Sequence, residues 1–236
     1  MGIAFLMGLQ TAAAQTVAVP VSLNSVFSAQ VEEDEIDPFG MGVDEAFFNV
    51  QGDDDAFTVY SLVDFDTTGL GPASAVFGFS LELTQSNAFF TADGALEFFL
   101  ASDTRAVDTT DPARFQTNGS NVGAQVVGTD FGTLFSLGTG SFVETATGDT
   151  DTFALSFGTL AEAFAVSQIN SGGILRIIAT PGDLGVQATF SGSTSLLDPP
   201  APPVLNLIVE SEIVPEPSSL AVLGLFAMAG VCRRRR

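Results

Sequence analysis

The sequence predicts an all-β protein: an antiparallel β-sandwich of jelly-roll type with one short helix. Two patterns carry that expectation. Residues 75–84 alternate apolar and polar side chains, and clusters of Gly, Asp, Asn, Ser and Pro separate a series of short apolar runs. In chain order the expected strands cover 57–65, 75–84, 96–101, 122–127, 141–145, 152–157, 174–180, 186–191 and 204–209. Period two places Ala75, Phe77, Phe79, Leu81 and Leu83 on one inward face, and Phe153, Leu155 and Phe157 on another. One stretch departs from that period. Leu160, Ala163, Phe164 and Ser167 share a helical face, and Asn170-Ser171-Gly172-Gly173 supplies the stop signal. Before the last strand, Asp198-Pro199-Pro200-Ala201-Pro202-Pro203 reads as a stiff extended loop.

Composition sets the bounds. With 236 residues the chain has enough material for one domain with tails and a sizeable core. It holds 28 acids against seven arginines and no lysine or histidine. Four of those arginines close the chain, so a processed body keeps only Arg105, Arg114 and Arg176, for a net charge of −25. Nucleic acid is excluded as a natural partner, because binding it needs clustered cations. The 22 phenylalanines separate this chain from disordered acidic sequences. Its single cysteine, Cys232, lies in the C-terminal tail, so the body must be held by packing or bound ions without a disulfide.

Both ends read as export signals. At the N-terminus, residues 1–14 form a short apolar stretch ending in Ala12-Ala13-Ala14, with Ala12 and Ala14 at the two small-residue positions of a signal-peptide cleavage site. No Lys or Arg precedes that stretch, which points to a start upstream of Met1. At the C-terminus, residues 211–217 are expected to form a spacer ending in Pro215-Glu216-Pro217. An uncharged apolar run, 218–232, and the cluster Arg233, Arg234, Arg235 and Arg236 follow it. The run can cross a bilayer as a helix with little tilt, and the arginines hold its end in the cytoplasm. Flanking prolines leave Glu216 on an extended, grippable peptide. The three-part tail resembles the PEP-CTERM sorting signal of bacterial exosortase substrates. That resemblance implies an exported protein, held briefly in the inner membrane, cut by an exosortase-type enzyme, and delivered to the cell surface or extracellular matrix.

Between the ends lie an acidic arm with a first strand (15–42) and the sandwich proper (43–210). The segments Tyr60 to Asp66, Ala75 to Thr84, Gly172 to Pro181 and Ala188 to Gly192, in that order, are similar to jelly-roll domains of the DNRLRE type. Some of those domains are carbohydrate-binding modules, which would make Tyr60, Arg105 or Arg114 candidate sugar contacts and Phe190 the counterpart of a stacking tryptophan. Absence of histidine removes Ser-His-Asp and histidine-metal chemistry, and absence of lysine removes Schiff-base chemistry. Acid clusters occur at Glu32 to Asp37 and at Asp53, Asp54 and Asp55, and Asp149 and Asp151 form a spaced pair. Asp53 to Asp55 could hold Ca2+ on a loop, since hard cations take carboxylate oxygens. The leading expectation is a non-enzymatic surface or matrix protein associated with exopolysaccharide. Its alternative is a carbohydrate-binding module, calcium-assisted, that recognises a specific glycan.

Overall fold

The structure, a computed structural model, describes residues 15–32, 46–52, 58–86, 91–107 and 122–213. It is an antiparallel β-sandwich, as expected. Eleven strands are present among the described residues: β1 (Gln15–Asn24), β2 (Phe27–Glu32), β3 (Phe47–Gln51), β4 (Val59–Asp66), β5 (Ala75–Thr84), β6 (Gly94–Ala101), β7 (Leu134–Phe142), β8 (Thr150–Leu155), β9 (Ile174–Pro181), β10 (Gln187–Ser191) and β11 (Val204–Ile213). One helix, α1 (Thr159–Ser171), connects β8 to β9. A four-stranded sheet runs β1-β11-β5-β8, and a larger one runs β10-β3-β4-β9-β6-β7 with β2 also on β4. Residues Ala18–Ser211 form a compact unit by themselves.

The core between the sheets is built of phenylalanine and aliphatic side chains. Phe190 is fully buried and sits at its centre. Its ring meets Phe142 and Phe153 edge-on, at centroid separations of 5.4 and 6.0 Å, and Phe48 at 6.4 Å. Edge-on contacts set the positive rim of one ring against the negative face of another, which adds to what burial alone contributes. The position expected to stack a sugar is therefore the hub of the core.

Strand β5 keeps its expected bounds but not its expected faces. Leu81, Leu83 and Phe79 point inward, while Phe77 is 44% exposed and Val76 is buried in its place. Gly78 explains the switch. Its φ is +66°, and the ladder to β11 slips there: Asn206 faces Ser80, but Ile208 faces Phe77. Two residues of β5, Gly78 and Phe79, thus stand opposite one of β11, Leu207, a bulge that inverts the alternation upstream. A Cβ on Gly78 would also lie 2.6 Å from Ile208 Cδ1 and push that side-chain end aside, but it is the positive φ that favours glycine here.

Two other expectations need correction. Residues 122–127 are not a strand. Gly123–Val126 is a short 3-10 turn, because Val126 and Val127 are both buried and no alternation remains. The strand expected at 141–145 lies earlier, as β7, paired with β6 from Gly94↔Phe142 to Ala101↔Leu134. Its glycines read as breakers, yet Gly140 packs beneath the rings of Phe98 and Phe153.

Helix α1 forms where expected and ends at Gly172, in the left-handed conformation, whose N–H donates back to the helix carbonyls. Its buried face differs. Ala161, Ala165 and Ile169, each four residues apart, face the core, while Leu160 is 73% exposed. Small alanines let the helix approach closely, and Phe164 then reaches the ring of Phe135 at 5.8 Å.

Strands β4 and β9 lie at the centre of the larger sheet and are buried on both faces. The outer face is covered by Val126, Val127 and Phe131, which with Tyr60, Leu62 and Ile178 make a second core. Into this layer point two directly paired residues, Asp64 and Arg176. Arg176 Nε and Nη2 each donate to one Asp64 oxygen at 2.7 Å. The remaining Nη1 donates to the Arg105 carbonyl at 2.9 Å, and the guanidinium lies 5.8 Å from the Phe131 ring centroid. A buried charge left alone costs far more than the pair contributes. Arg176→Met is accordingly expected to lower unfolding free energy by about 3–5 kcal/mol. Adding Asp64→Leu should recover part of that loss, as measured by urea unfolding; equal losses in both variants would contradict this assignment.

Candidate functional site

The sequence-predicted sorting residues Pro215, Glu216, Pro217 and Arg233 to Arg236 lie outside the described residues, as do Ala12, Ala14, Asp53 to Asp55 and Arg114. The structure does show what leads into the tail. Strand β11 continues through Ile213, so residues 211–213, expected as spacer, are extended strand. Its last register pair with β5 is Glu210↔Ala75, and the Glu210 carbonyl accepts the Ser74 N–H at 2.7 Å. Pro215, the first of the sorting residues, therefore follows the end of β11 by two positions in the chain. Among the described residues no helix is long and apolar enough to cross a membrane, and the apolar run 218–232 lies beyond them.

The structure places both Tyr60 and Arg105, and the buried Tyr60 offers no sugar contact. Tyr60 is 2% exposed, with its ring edge-on to Phe131 at 6.2 Å. Burial pushes its phenol far above the usual range, while a backbone hydrogen bond with Gly128 pulls weakly the other way. A stacking platform needs an open ring face, and this ring has none. Arg105 is exposed and closes a local pair with Asp103, Nη2 to Oδ2 at 2.6 Å. That hydrogen-bonded guanidinium holds the Asp103 carboxyl below its usual range. Phe77 is the one strongly exposed ring among the described residues.

The described aspartates mostly brace turns. Asp183 accepts the Ala95 N–H at 2.7 Å and the Gly185 N–H at 3.0 Å. Asp93 accepts the Glu144 N–H at 2.7 Å, and Asp66 the Thr68 N–H at 2.8 Å. The Thr68 hydrogen bonds hold the Asp66 carboxyl below its usual range. Among the described residues, no three Asp, Glu, His or Cys side chains come together in a group that could hold a metal ion. A shallow cleft of about 490 Å³ between Gly71 and Asn170 is lined by small and neutral residues.

One polar assembly escaped the sequence reading. Gln85, buried at the end of β5, clamps the turn between β7 and β8. Its Nε2 donates to the Val143 carbonyl at 2.9 Å and to Asp151 Oδ2 at 2.8 Å, while its Oε1 accepts the Thr145 N–H at 3.0 Å. Asp149 completes the turn by accepting the Ala146 N–H at 3.1 Å. The spaced aspartates 149 and 151 thus serve this turn. Only an isolated glutamine after an apolar strand hinted at it.

Within that assembly Asp151 is held above the usual carboxylate range, chiefly by burial, with Gln85 lowering it and Asp149 raising it. The folded state therefore binds this proton more tightly than the unfolded chain does. Ionisation weakens folding as pH rises from about 3.9, the ordinary value, through the raised one. Asp151→Asn keeps an oxygen for Gln85 and is expected to remove that falling step. Thermal midpoints measured between about pH 4 and pH 7 should diverge in favour of the variant as pH rises; parallel curves would contradict the assignment.

Comparison with known proteins identifies the tail. Residues 214–236 match the PEP-CTERM protein-sorting motif. The chain thus carries the signal of an exported protein that is anchored transiently in the membrane and handled by an exosortase-type enzyme. No curated protein matches the chain. Among solved structures, a chain from the cryo-EM structure of Mud crab tombus-like virus aligns at 8% identity over 88% of this chain and 96% of that one. Its TM-score of 0.23 carries no argument about fold or function.

Proposed function

We propose that this is a non-enzymatic protein of the bacterial surface or extracellular matrix, released from its membrane tail and associated with exopolysaccharide. The sorting motif at 214–236 carries the reading, because it fixes export and gives the tail a purpose. The chemistry of the chain supports it. With no histidine or lysine, acid–base work would fall on carboxylates, and the described aspartates mostly hold backbone N–H groups or arginines. The abundance of Phe, set into the core, supplies packing in place of disulfides. A strongly acidic body stays soluble and repels anionic polysaccharide at close range, so association with such a polymer would be bridged by divalent cations. The acidic run Asp53 to Asp55 is the proposed place for such a cation.

The test uses the native host. Replacing Pro215, Glu216 and Pro217 together by alanine is expected to leave the protein in the inner-membrane fraction at full mass, while the wild type reaches the surface or matrix fraction. Equal distribution of both forms would sink the sorting step. Recovery of the wild type from the medium, with none in the exopolysaccharide, would refute the matrix association while leaving the sorting intact.

A further inference from the structure

The alternation that buries Phe79, Leu81 and Leu83 would carry Phe77 into the core as well, and the bulge at Gly78 turns it out to 44% exposure instead. A bulge re-aims a side chain, often beside a binding site. On the outer face of the four-stranded sheet, Ile208 of β11 stands directly opposite this ring. Two positions back along β11, about 7 Å away, Asn206 belongs to a polar row that crosses three strands. Its Oδ1 accepts the Ser22 hydroxyl of β1 at 2.5 Å, and its Nδ2 donates to Glu82 Oε1 of β5 at 2.9 Å. The amide is thus oriented from both sides, while its second N–H, the second Glu82 oxygen and the Ser22 lone pairs keep capacity for further hydrogen bonds. Ser80 and Ala154, paired across β5 and β8, are short and raise no wall beside either row.

Chemistry selects the ligand. A pyranose offers a face of C–H groups to the negative face of an aromatic ring, and a rim of hydroxyls to amides and carboxylates. Of the side chains named, only Glu82 is charged, and the two described arginines, Arg105 and Arg176, are held by Asp103 and Asp64. A phosphate, sulfate or carboxylate polymer therefore finds no cation on this face. One exposed ring is too little apolar surface for a protein partner. We infer that this face binds an uncharged stretch of the exopolysaccharide, with one sugar stacked on Phe77 and a neighbouring unit hydrogen-bonded by the Ser22–Asn206–Glu82 row. Resting on the association proposed above, this contact is direct and needs no bridging cation.

Co-sedimentation of the full chain, kept in detergent, with exopolysaccharide purified from the native host tests this, once in EDTA and once in calcium. The wild type is expected to bind in EDTA. Phe77→Ala should weaken that binding about tenfold, equivalent to about 1.4 kcal/mol. Phe77→Trp should keep it, and thermal midpoints should stay unchanged in both variants. Leu160→Ala, at an exposed position on α1, should bind as the wild type does. Binding in EDTA that survives Phe77→Ala, or is lost in Phe77→Trp, would overturn the assignment of this face. Binding seen only with calcium would overturn it too, while leaving the association with exopolysaccharide standing; no binding under either condition would remove both.

Discussion

Arg176 stands in the middle of β9 with its guanidinium held in two parallel hydrogen bonds by Asp64 on β4, and the layering of the body is organised around that pair. Fork-to-carboxylate geometry gives direction as well as energy, so the pair locks the register of the two central strands. The third arm of the guanidinium takes the carbonyl of Arg105, at the start of the segment that leaves the sheet. The returning end of that segment brings Phe131 under the same guanidinium and against Tyr60. Both of its ends thus meet one buried cation. Further hydrogen bonds from the Ser102 and Asp103 N–H groups to the carbonyls of Thr133 and Phe131 close the layer. Once covered, β4 and β9 are buried on both faces, which is why they show no alternation between buried and exposed positions.

That cover accounts for what could and could not be read from the chain. Strand β5 was legible to the residue because its outer face meets water and its inner face the core. The inversion at Gly78 was not, since a bulge is a relation between two strands and half of it belongs to Leu207 and Ile208 on β11. Helix α1 was legible from its stop signal, but its buried face was misread because alanines, not the larger Leu160, make the contact. Gly138 and Gly140 hid β7 by looking like turn residues. Asp64 and Arg176 were visible as lone charges within apolar runs, though nothing local says they are opposite one another. The sorting tail was the most legible feature, because its three parts follow one another along the chain and need no partner.

Body and tail pose separate physical problems, and the chain solves them with different residues. The tail is read as a linear signal. The exported body has to stay folded with no disulfide available to it, since the one cysteine belongs to the tail. Its resources are a phenylalanine core between two sheets and a second core locked by one buried ion pair. Asp93, Asp149 and Asp183 add to these by accepting backbone N–H groups at the described turns.

Native-state hydrogen exchange tests most directly whether the buried pair holds the outer layer in place. In Arg176→Met, the amides of Ser102, Asp103 and Val127 should lose most of their protection, while those of β5, β8 and β11 keep theirs. Uniform loss across both sheets, or unchanged protection at Ser102 and Asp103, would contradict a layer pinned by Arg176.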